Sequence, residues 1–375
     1  MRPTSLDIDL AALRHNFRQA KALAGGRELL CVVKANAYGH GLVPVSRALA
    51  AEGGGWLGVA TVAEGITLRE AGIGLPVLLM GGFLGDEAAD VVRHRLTPAL
   101  FTPELIAPLS QAALAAGITL GVHVKVDTGM GRIGFSAGDA AKAILDIMAA
   151  PGLKVDGVFT HFAEADLADS PAALEQLDLL LAVYRALGGA ASGVPTWHAA
   201  NSAALMRRLG RTDGPAPGLF RPGIMLYGEA PGDGLGAPVP LRPVATWRAR
   251  LIQVKSVPAG TAISYGRTFV TTRPSRIATL PVGYADGFRR ALSNNGSVLI
   301  RGHHAPVVGR VCMDMTMVDV TDLPDDVGVG EAAVLIGRQG ERTITATDLA
   351  GACGTIAYDI LCGISERVPR VYVGA

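Results

Sequence analysis

Lys34 is the first residue whose position suggests chemistry. It directly follows the apolar run Leu29–Val33 and opens the segment K-A-N-A-Y-G-H-G. A lysine at the end of a buried strand is partly removed from water, and desolvation favours its neutral amine. The neutral amine is the form that makes a Schiff base with a carbonyl compound. This position therefore predicts a lysine that binds a carbonyl group covalently.

Further polar residues follow later apolar runs. Arg132 ends the glycine-rich segment D-T-G-M-G-R, whose tight turn would aim a carboxylate-binding side chain inward. His161 follows another run, and Asn201 and Ser202 stand at a predicted helix start, where amides and a hydroxyl suit a phosphate. Arg221 precedes P-G-I, whose glycine permits close approach of a ligand. Since these groups follow successive strands, they predict one site.

A reactive lysine, a phosphate cradle and cationic side chains together suit pyridoxal 5′-phosphate. A Schiff-base aldolase that uses no cofactor fits nearly as well. The spacing of the residues does not separate these two interpretations.

Short apolar runs alternate with helical patterns through the first 230 residues. The predicted strands are Leu29–Val33, Leu57–Ala60, Pro76–Met80, Leu96–Leu100, Thr119–Val126, Leu153–Thr160, Pro195–Ala199 and Gly218–Arg221. The predicted helices between them include Val43–Glu52, Thr61–Ala71, Pro103–Ala116, Ala137–Ala149 and Pro171–Leu187. Repeated strand–helix units with short connections call for parallel strands, and eight such units close into a barrel. The fold class is therefore α/β, with an N-terminal (β/α)8 TIM barrel whose strand ends carry the site.

The pattern changes after Tyr227. Residues 232–240 form a linker-like stretch rich in Gly and Pro, and mostly extended runs follow it. These runs are Ala245–Val257, Ile277–Val282, Ser297–Ile300, Pro306–Val311, Met315–Val320, Ala332–Ile336 and Arg370–Val373, with helices only at Ala346–Ala352 and Ile356–Gly363. We therefore expect a barrel over residues 1–235 and a mostly β C-terminal domain over residues 236–375.

Composition excludes several classes of protein. With 49% hydrophobic and 18% charged residues among 375, the chain is too apolar to be disordered. A net charge of +1 gives no basic surface for nucleic acid or for an anionic membrane. The acidic N-terminal segment and the absence of a long apolar run predict a cytoplasmic protein. The four cysteines form no C-x-x-C pair, so we expect free thiols and no metal site.

The motifs as a set resemble those of the bacterial alanine racemase family. They are V-V-K-A-N-A-Y-G-H-G, V-D-T-G-M-G-R, T-H-F, N-S-A, R-P-G-I-M-L-Y-G, S-Y-G-R-T-F, G-Y-A-D-G and G-R-V-C-M-D-M, and the resemblance covers nearly the whole chain. It implies a fold-type III pyridoxal-phosphate enzyme, a barrel followed by a β domain. It also implies a head-to-tail homodimer in which each active site borrows residues from the other subunit.

The resemblance implies a two-base mechanism. Lys34 would carry the cofactor and act as one base, and Tyr265 of the partner subunit would act on the opposite face of the substrate. Both groups start near pKa 10, so the site must lower these pKa values. Arg221 would face the pyridine nitrogen and keep it unprotonated, which disfavours transamination. His161 would lie beside the borrowed tyrosine.

Other roles follow from the resemblance in the same way. Phosphate would be held by Tyr38, Ser202, Gly223, Ile224 and Tyr358, with Asn201 nearby. Arg132 would bind the phenolic oxygen of the cofactor and approach the substrate carboxylate, with Met313 and Asp314 of the partner subunit, while Tyr284 would narrow the entrance. Lys125 matches a lysine that some members carry as a carbamate. An unmodified Lys125 paired with Asp127 is the alternative.

The function implied is the interconversion of L- and D-alanine, which supplies D-alanine for cell-wall peptidoglycan or serves alanine catabolism. A racemase of broader range is a second hypothesis, although no export signal of that group is visible. A decarboxylase on the same architecture is a third, and Arg221 argues against it because decarboxylation benefits from a protonated ring. A pyridoxal-phosphate carrier is the fourth, and the intact C-terminal third weighs against it.

Overall fold

The computed structural model describes residues 2–209, 218–232, 235 and 239–374. They form two compact units. The barrel unit consists of the described residues within 13–37 and 42–242, and the β unit consists of residues 2–12, 38–41 and 243–374. The expected linker at residues 232–240, and with it the boundary after residue 235, lies largely outside the described residues.

The barrel unit contains eight parallel strands in one sheet. In spatial order they are Leu219–Phe220, Glu28–Val32, Trp56–Val59, Val77–Leu79, Thr97–Leu100, Leu120–Asp127, Leu153–Phe159 and Thr196–His198. The sheet closes because the Gly218 amide donates to the Trp197 carbonyl and the Arg221 amide to the Ala200 carbonyl, both at 2.9 Å. The eight predicted strands and the barrel are confirmed, with strand ends shifted by at most one residue. A short strand, Phe135–Ser136, also pairs with Leu120–Asp127.

Helices connect the barrel strands. They are Leu10–Leu23, Leu42–Ala51, Val62–Glu70, Ala88–Arg93, Ile106–Ala115, Ala140–Ala149, Ala172–Ala186 and Ser202–Met206, with 3-10 turns at Gly85–Glu87, Pro103–Leu105, Gly189–Ser192 and Ile224–Tyr227. Val62–Glu70 begins with a complete capping box, in which the Thr61 hydroxyl accepts from the Glu64 amide and the Glu64 carboxylate accepts from the Thr61 amide. Such a box stabilises the first turn of a helix.

The β unit is built on a seven-stranded sheet. Its strands are His303–Pro306, Ser297–Ile300, Ala332–Gln339, Ala245–Arg250, Thr4–Asp9 and Arg370–Val373 in spatial order, with Arg342–Ile344 paired to Ala332–Gln339. A three-stranded sheet follows the order Gln253–Val257, Ser275–Leu280, Thr316–Asp319, and Ala262–Ile263 pairs with Phe269–Val270. The helices Ala346–Cys353 and Ala357–Cys362 and 3-10 turns at Tyr265–Arg267, Tyr284–Asp286 and Arg290–Leu292 complete the described part of this unit.

Two extended runs of the β unit differ from the prediction. Ala245–Val257 is two strands, because the Leu251 amide donates to Glu331 of one sheet and the Ile252 amide to Thr279 of the other. The predicted strand Pro306–Val311 is wrong: the strand is His303–Pro306. The run is interrupted at Gly309, whose φ of 77° lies in the left-handed region rather than in the β region.

Candidate active site

Lys34 lies where the first barrel strand ends. The Val33 amide donates to the Gly58 carbonyl at 2.8 Å, and the Tyr227 hydroxyl donates to the Val32 carbonyl at 3.0 Å, so the strand end is fixed from two sides. The Lys34 side chain is half-buried. The placement agrees with a lysine at the mouth of the barrel.

The chain leaves Lys34 in an unusual conformation. Ala35, Asn36 and Ala37 have φ values of 54°, 54° and 53°, in the left-handed region, although none of them is glycine. A left-handed conformation costs an L-residue about 1–2 kcal/mol. Tyr38 has a φ of 53° as well, and four such residues in succession persist only where surrounding contacts hold them.

Arg221 is the central cation of the barrel unit, with only 2% of its surface exposed. One Nη donates to the carbonyls of Thr160 at 2.7 Å and Ala199 at 2.6 Å, and the other bonds to His198 Nδ1 at 2.8 Å. Burial lowers the pKa of Arg221 to about 9, so the side chain remains a cation at neutral pH. Its Nε is buried and has no hydrogen-bond partner among the described residues. A buried donor of this kind fits a ligand that supplies an acceptor.

A chain of imidazoles extends from Arg221 into the barrel. Because arginine only donates, His198 Nδ1 must accept, and the proton of that ring is on Nε2. His198 Nε2 then donates to His123 Nδ1 at 2.9 Å. A Cβ atom on Gly157 would stand 2.7 Å from the His123 ring, so only glycine leaves room for this chain. The orientation of Arg221 is therefore fixed by groups deep in the barrel.

The histidines around Arg221 are held neutral. Burial, followed by the charge of Arg221, lowers the pKa of His123 to about 3. The same two causes, in the same order, hold the pKa values of His161 and His198 well below their usual range. His161 Nδ1 lies 3.5 Å from Arg221 Nη2. Neutral rings can accept hydrogen bonds from the guanidinium without repelling it.

Lys125 is the second lysine of this site and, unlike the half-buried Lys34, it is fully buried. It projects from Leu120–Asp127, its Nζ donates to the Val126 carbonyl at 3.2 Å, and it lies 5.3 Å from the centre of the Phe159 ring. Burial, assisted by the charge of Arg221, lowers the pKa of Lys125 to about 7. Near neutral pH a large fraction of this amine is therefore uncharged and nucleophilic.

Asp127 organises the turn that leads to Arg132. Its Oδ1 accepts from the amides of Gly129 and Met130 at 2.9 Å and of Gly131 at 3.2 Å. Partial burial favours the neutral carboxyl, but the three amides hold the pKa of Asp127 below its usual range. Arg132 is exposed, and its positive charge contributes to lowering the pKa of Lys125.

Ser202 connects the segments that follow the barrel strands Thr196–His198 and Leu219–Phe220. Its hydroxyl oxygen accepts from the amides of Gly223 at 2.8 Å and Met225 at 3.5 Å. Asn201 caps the helix Ser202–Met206 by accepting from the Ala204 amide at 3.0 Å. Ile224 is buried at the start of its 3-10 turn. A hydroxyl and several backbone amides thus meet at one place.

The β unit carries the remaining predicted site residues. Tyr38 and Tyr358 are neighbours, with ring centres 5.9 Å apart, and burial, followed by Tyr358, raises the pKa of Tyr38. Tyr265 is 72% exposed, and Tyr284 and Met313 are also exposed.

Hydrogen bonds connect the loops of Tyr265, Tyr284 and Met313. The Ser264 hydroxyl donates to the Arg310 carbonyl at 2.6 Å, and the Ala285 amide donates to the Met313 carbonyl at 3.0 Å. Asp314 pairs with Arg367 at 2.7 Å. The β unit thus presents Tyr265, Tyr284 and Met313 from one connected set of loops.

Three residues of the barrel site were not predicted from the sequence. His123 could have been found, because it stands two residues before Lys125 and so shares its strand face. Gln176 accepts from the Ala163 amide at 2.8 Å and donates to the His161 carbonyl at 3.1 Å, a role with no local signal. Glu64 is the third, and its contacts are described below.

The barrel unit and the β unit each match a known domain. Residues 8–231 match the family model "Alanine racemase, N-terminal domain", and residues 244–372 match "Alanine racemase, C-terminal domain". The chain belongs to the alanine racemase family.

Full-length relatives agree with this assignment. The chain is 45% identical to the alanine racemase of Halothermothrix orenii over 99% of this chain and 97% of the relative. It is 47% identical to that of Symbiobacterium thermophilum over 100% and 98%. The solved alanine racemase of Streptomyces lavendulae superimposes with a TM-score of 0.93 at 37% identity, covering 100% of this chain and 98% of that one. The predicted alanine racemase enzyme, an isomerase of L- and D-alanine, and its fold class are confirmed. Within the described residues, no helix has the length and apolar character of a membrane span.

Proposed function

We propose that this alanine racemase uses pyridoxal 5′-phosphate, held by Lys34, and works by a two-base mechanism in a homodimer. Lys34 and Tyr265 of the partner subunit are the two bases. The D-alanine formed serves cell-wall peptidoglycan, or the enzyme acts in alanine catabolism.

The buried, unpartnered Nε of Arg221 is the observation that carries the cofactor proposal. A pyridine nitrogen that bears no proton is an acceptor of the kind this donor lacks. Lys34 supplies an amine at a strand end, and Ser202 and its amide neighbours supply hydroxyl and N–H groups of the kind that bind phosphate. The residues present therefore fit the group. When bound, pyridoxal phosphate supplies an electron-withdrawing ring that makes the α-proton of alanine acidic.

Arg221 donates a hydrogen bond and keeps its own proton. Its pKa of about 9 leaves it charged at neutral pH, and the chain through His198 to His123 prevents it from rotating. An arginine here favours return of the proton to the α-carbon over transamination. Arg221 argues against the alternative of a decarboxylase for the same reason, because decarboxylation benefits from a protonated ring.

Lys34 and Tyr265 of the partner subunit hold and move the α-proton. One accepts it on one face of the substrate, and the other returns a proton on the opposite face, which inverts the centre. The 72% exposure of Tyr265 within its own chain supports a tyrosine that serves a second subunit.

The substrate carboxylate is bound by Arg132, together with Met313 and Asp314 of the partner subunit, and Tyr284 narrows the entrance. Lys125 is carbamylated in this proposal, because the reaction with carbon dioxide needs a neutral amine and its pKa of about 7 provides one. The carbamate places a negative charge near Arg132. Phosphate is bound by Asn201, Ser202, Gly223 and Ile224, and the phosphate roles of Tyr38 and Tyr358 stay predictions.

Chiral chromatography tests the proposal directly. The protein loaded with pyridoxal phosphate is incubated separately with L-alanine, L-serine and L-lysine. Rapid formation of D-alanine, with little D-serine or D-lysine, is the expected result. Comparable conversion of all three would indicate a broad-range racemase, and no D-product from any of them would refute the proposed function.

A further inference from the structure

The turn after Lys34 is held by one carboxylate. Oε1 of Glu64 accepts from the backbone amides of Ala35 at 2.6 Å and Asn36 at 3.4 Å. These two residues begin the left-handed segment. The contact is therefore made at the strained part of the chain.

The second oxygen of the same carboxylate binds the next strand end. Oε2 of Glu64 accepts from the amides of Ala60 at 2.8 Å and Thr61 at 3.3 Å, immediately after the strand Trp56–Val59. One side chain thus connects the ends of two adjacent barrel strands. Carboxylate acceptors make stronger hydrogen bonds to amides than neutral groups do.

The contact with Ala35 acts on Lys34 itself. The Ala35 amide belongs to the peptide plane that starts at the Lys34 carbonyl carbon, so fixing that N–H fixes the ψ angle of Lys34. On the other side, the Val33 amide donates to Gly58, and the Ala37 amide donates to the Val33 carbonyl at 2.7 Å. The Lys34 backbone is thereby held before and after its α-carbon.

We infer that Glu64 is a positioning residue for Lys34: its carboxylate holds the left-handed turn that directs the lysine side chain into the site. The inference rests on the proposed function, in which Lys34 holds the cofactor. Both carboxylate oxygens of Glu64 bind backbone amides, so Glu64 acts on Lys34 through the backbone of the turn.

Glu64→Gln is a sharp test, because the carboxylate uses both oxygens as acceptors. Glutamine has one acceptor oxygen and one NH2 group of nearly the same shape. Whichever way the amide is oriented, two donors face each other, either at Ala35 and Asn36 or at Ala60 and Thr61. The variant therefore loses the hydrogen bonds at one of the two strand ends without a change in side-chain volume.

Two controls separate positioning from general stability. Thr61→Ala removes the hydroxyl that caps the helix Val62–Glu70 and leaves the contacts of Glu64 with Ala35 and Asn36 in place. Glu70→Gln makes the same chemical change at an exposed position on the same helix. We expect Thr61→Ala to lower the melting temperature and Glu70→Gln to leave it unchanged.

The first measurement is amide hydrogen exchange across residues 33–41 of the full-length protein, followed by mass spectrometry. Glu64→Ala removes both acceptor oxygens, so exchange at Ala35 and Asn36 should speed up by about tenfold, whereas Glu64→Gln has this effect only if its NH2 group faces them. The second is titration with pyridoxal phosphate, followed by its visible absorption. The dissociation constant should rise by about tenfold in Glu64→Ala and stay at the wild-type value in both controls.

Exchange and affinity in Glu64→Ala that match those of Thr61→Ala would overturn the inference. Should Glu64→Ala fail to fold, Glu64→Asp is measured in its place, since it keeps the charge but is too short to reach both strand ends. Visible absorption that survives in Lys34→Ala would refute the role of Lys34 in the proposed function. The exchange measurement would still decide whether Glu64 holds the turn, because it needs no cofactor.

Discussion

The buried histidines make the stability of the barrel unit depend on pH. His123 and His198 are each about 1% exposed and have lowered pKa values. In the unfolded chain a histidine binds a proton below about pH 6.5, whereas these folded rings stay neutral. The unfolded state therefore binds more protons in acid, and stability falls as the pH decreases below about 6.5.

The magnitude follows from this difference in proton binding. Between about pH 7.5 and about pH 5.5, each ring that stays neutral when folded reduces the free energy of unfolding by about 1.4 kcal/mol. His123→Asn removes one such ring and keeps an acceptor near the position of Nδ1 for His198 Nε2. The variant should therefore lose about 1.4 kcal/mol less than the wild type over the same pH range.

Urea denaturation at the two pH values, at one protein concentration, provides the assay. Other titrating groups, Lys125 included, are common to both proteins and cancel in the comparison. His303→Gln, at an exposed position, is the matched control and should behave like the wild type. Equal losses in the wild type and in His123→Asn would refute the reasoning, since the ring would then titrate alike in the folded and unfolded states.

Three further outcomes are expected. Lys34→Ala should abolish the visible absorption of bound pyridoxal phosphate after dialysis; retained absorption would place the covalent bond at another lysine. Equal mixing of Lys34→Ala and Tyr265→Ala subunits should restore about a quarter of the wild-type activity, because half of the dimers then contain one intact site of two. No recovery despite confirmed subunit exchange would indicate a site built within one chain. Labelled bicarbonate should give a carbamate signal in 13C NMR above pH 7 that weakens below it and is absent from Lys125→Gln, because protonation removes the nucleophilic amine; a signal that persists in the variant would exclude Lys125 as its source.

The barrel was predictable because its strands are mostly short apolar runs, and several of them end in polar residues. Leu153–Phe159 followed by Thr160 and His161 is an example, since the change from apolar to polar marks both the strand end and the site. Lys34 and Arg221 were found for the same reason. Their positions depend on local sequence and on the rule that parallel strands present their carboxyl ends on one face.

Other features were hidden because they depend on distant contacts. Thr4–Asp9 alternates buried and half-buried residues, but its partner strands Ala245–Arg250 and Arg370–Val373 are far away in the chain. The role of Glu64 depends on a left-handed turn that begins four residues before the first glycine, and Ala-Asn-Ala-Tyr gives no sign of it. A sequence pattern indicates the propensity of residues for helix or strand and the periodicity of apolar positions. It does not indicate backbone conformations that tertiary contacts impose.

The central place of Thr4–Asp9 in its sheet has a consequence for biosynthesis. This strand is made before both of its partners, since it pairs with Ala245–Arg250 and, in parallel, with Arg370–Val373. Both sides of Thr4–Asp9 therefore stay unpaired until these partner strands are made, and loop closure over such separations is slow. A fragment of residues 243–374 made alone would leave the facing edges of Ala245–Arg250 and Arg370–Val373 unpaired. A circular permutant with residues 2–12 attached after residue 374, through a linker long enough for the crossover between parallel strands, would carry every strand of this sheet in one continuous segment.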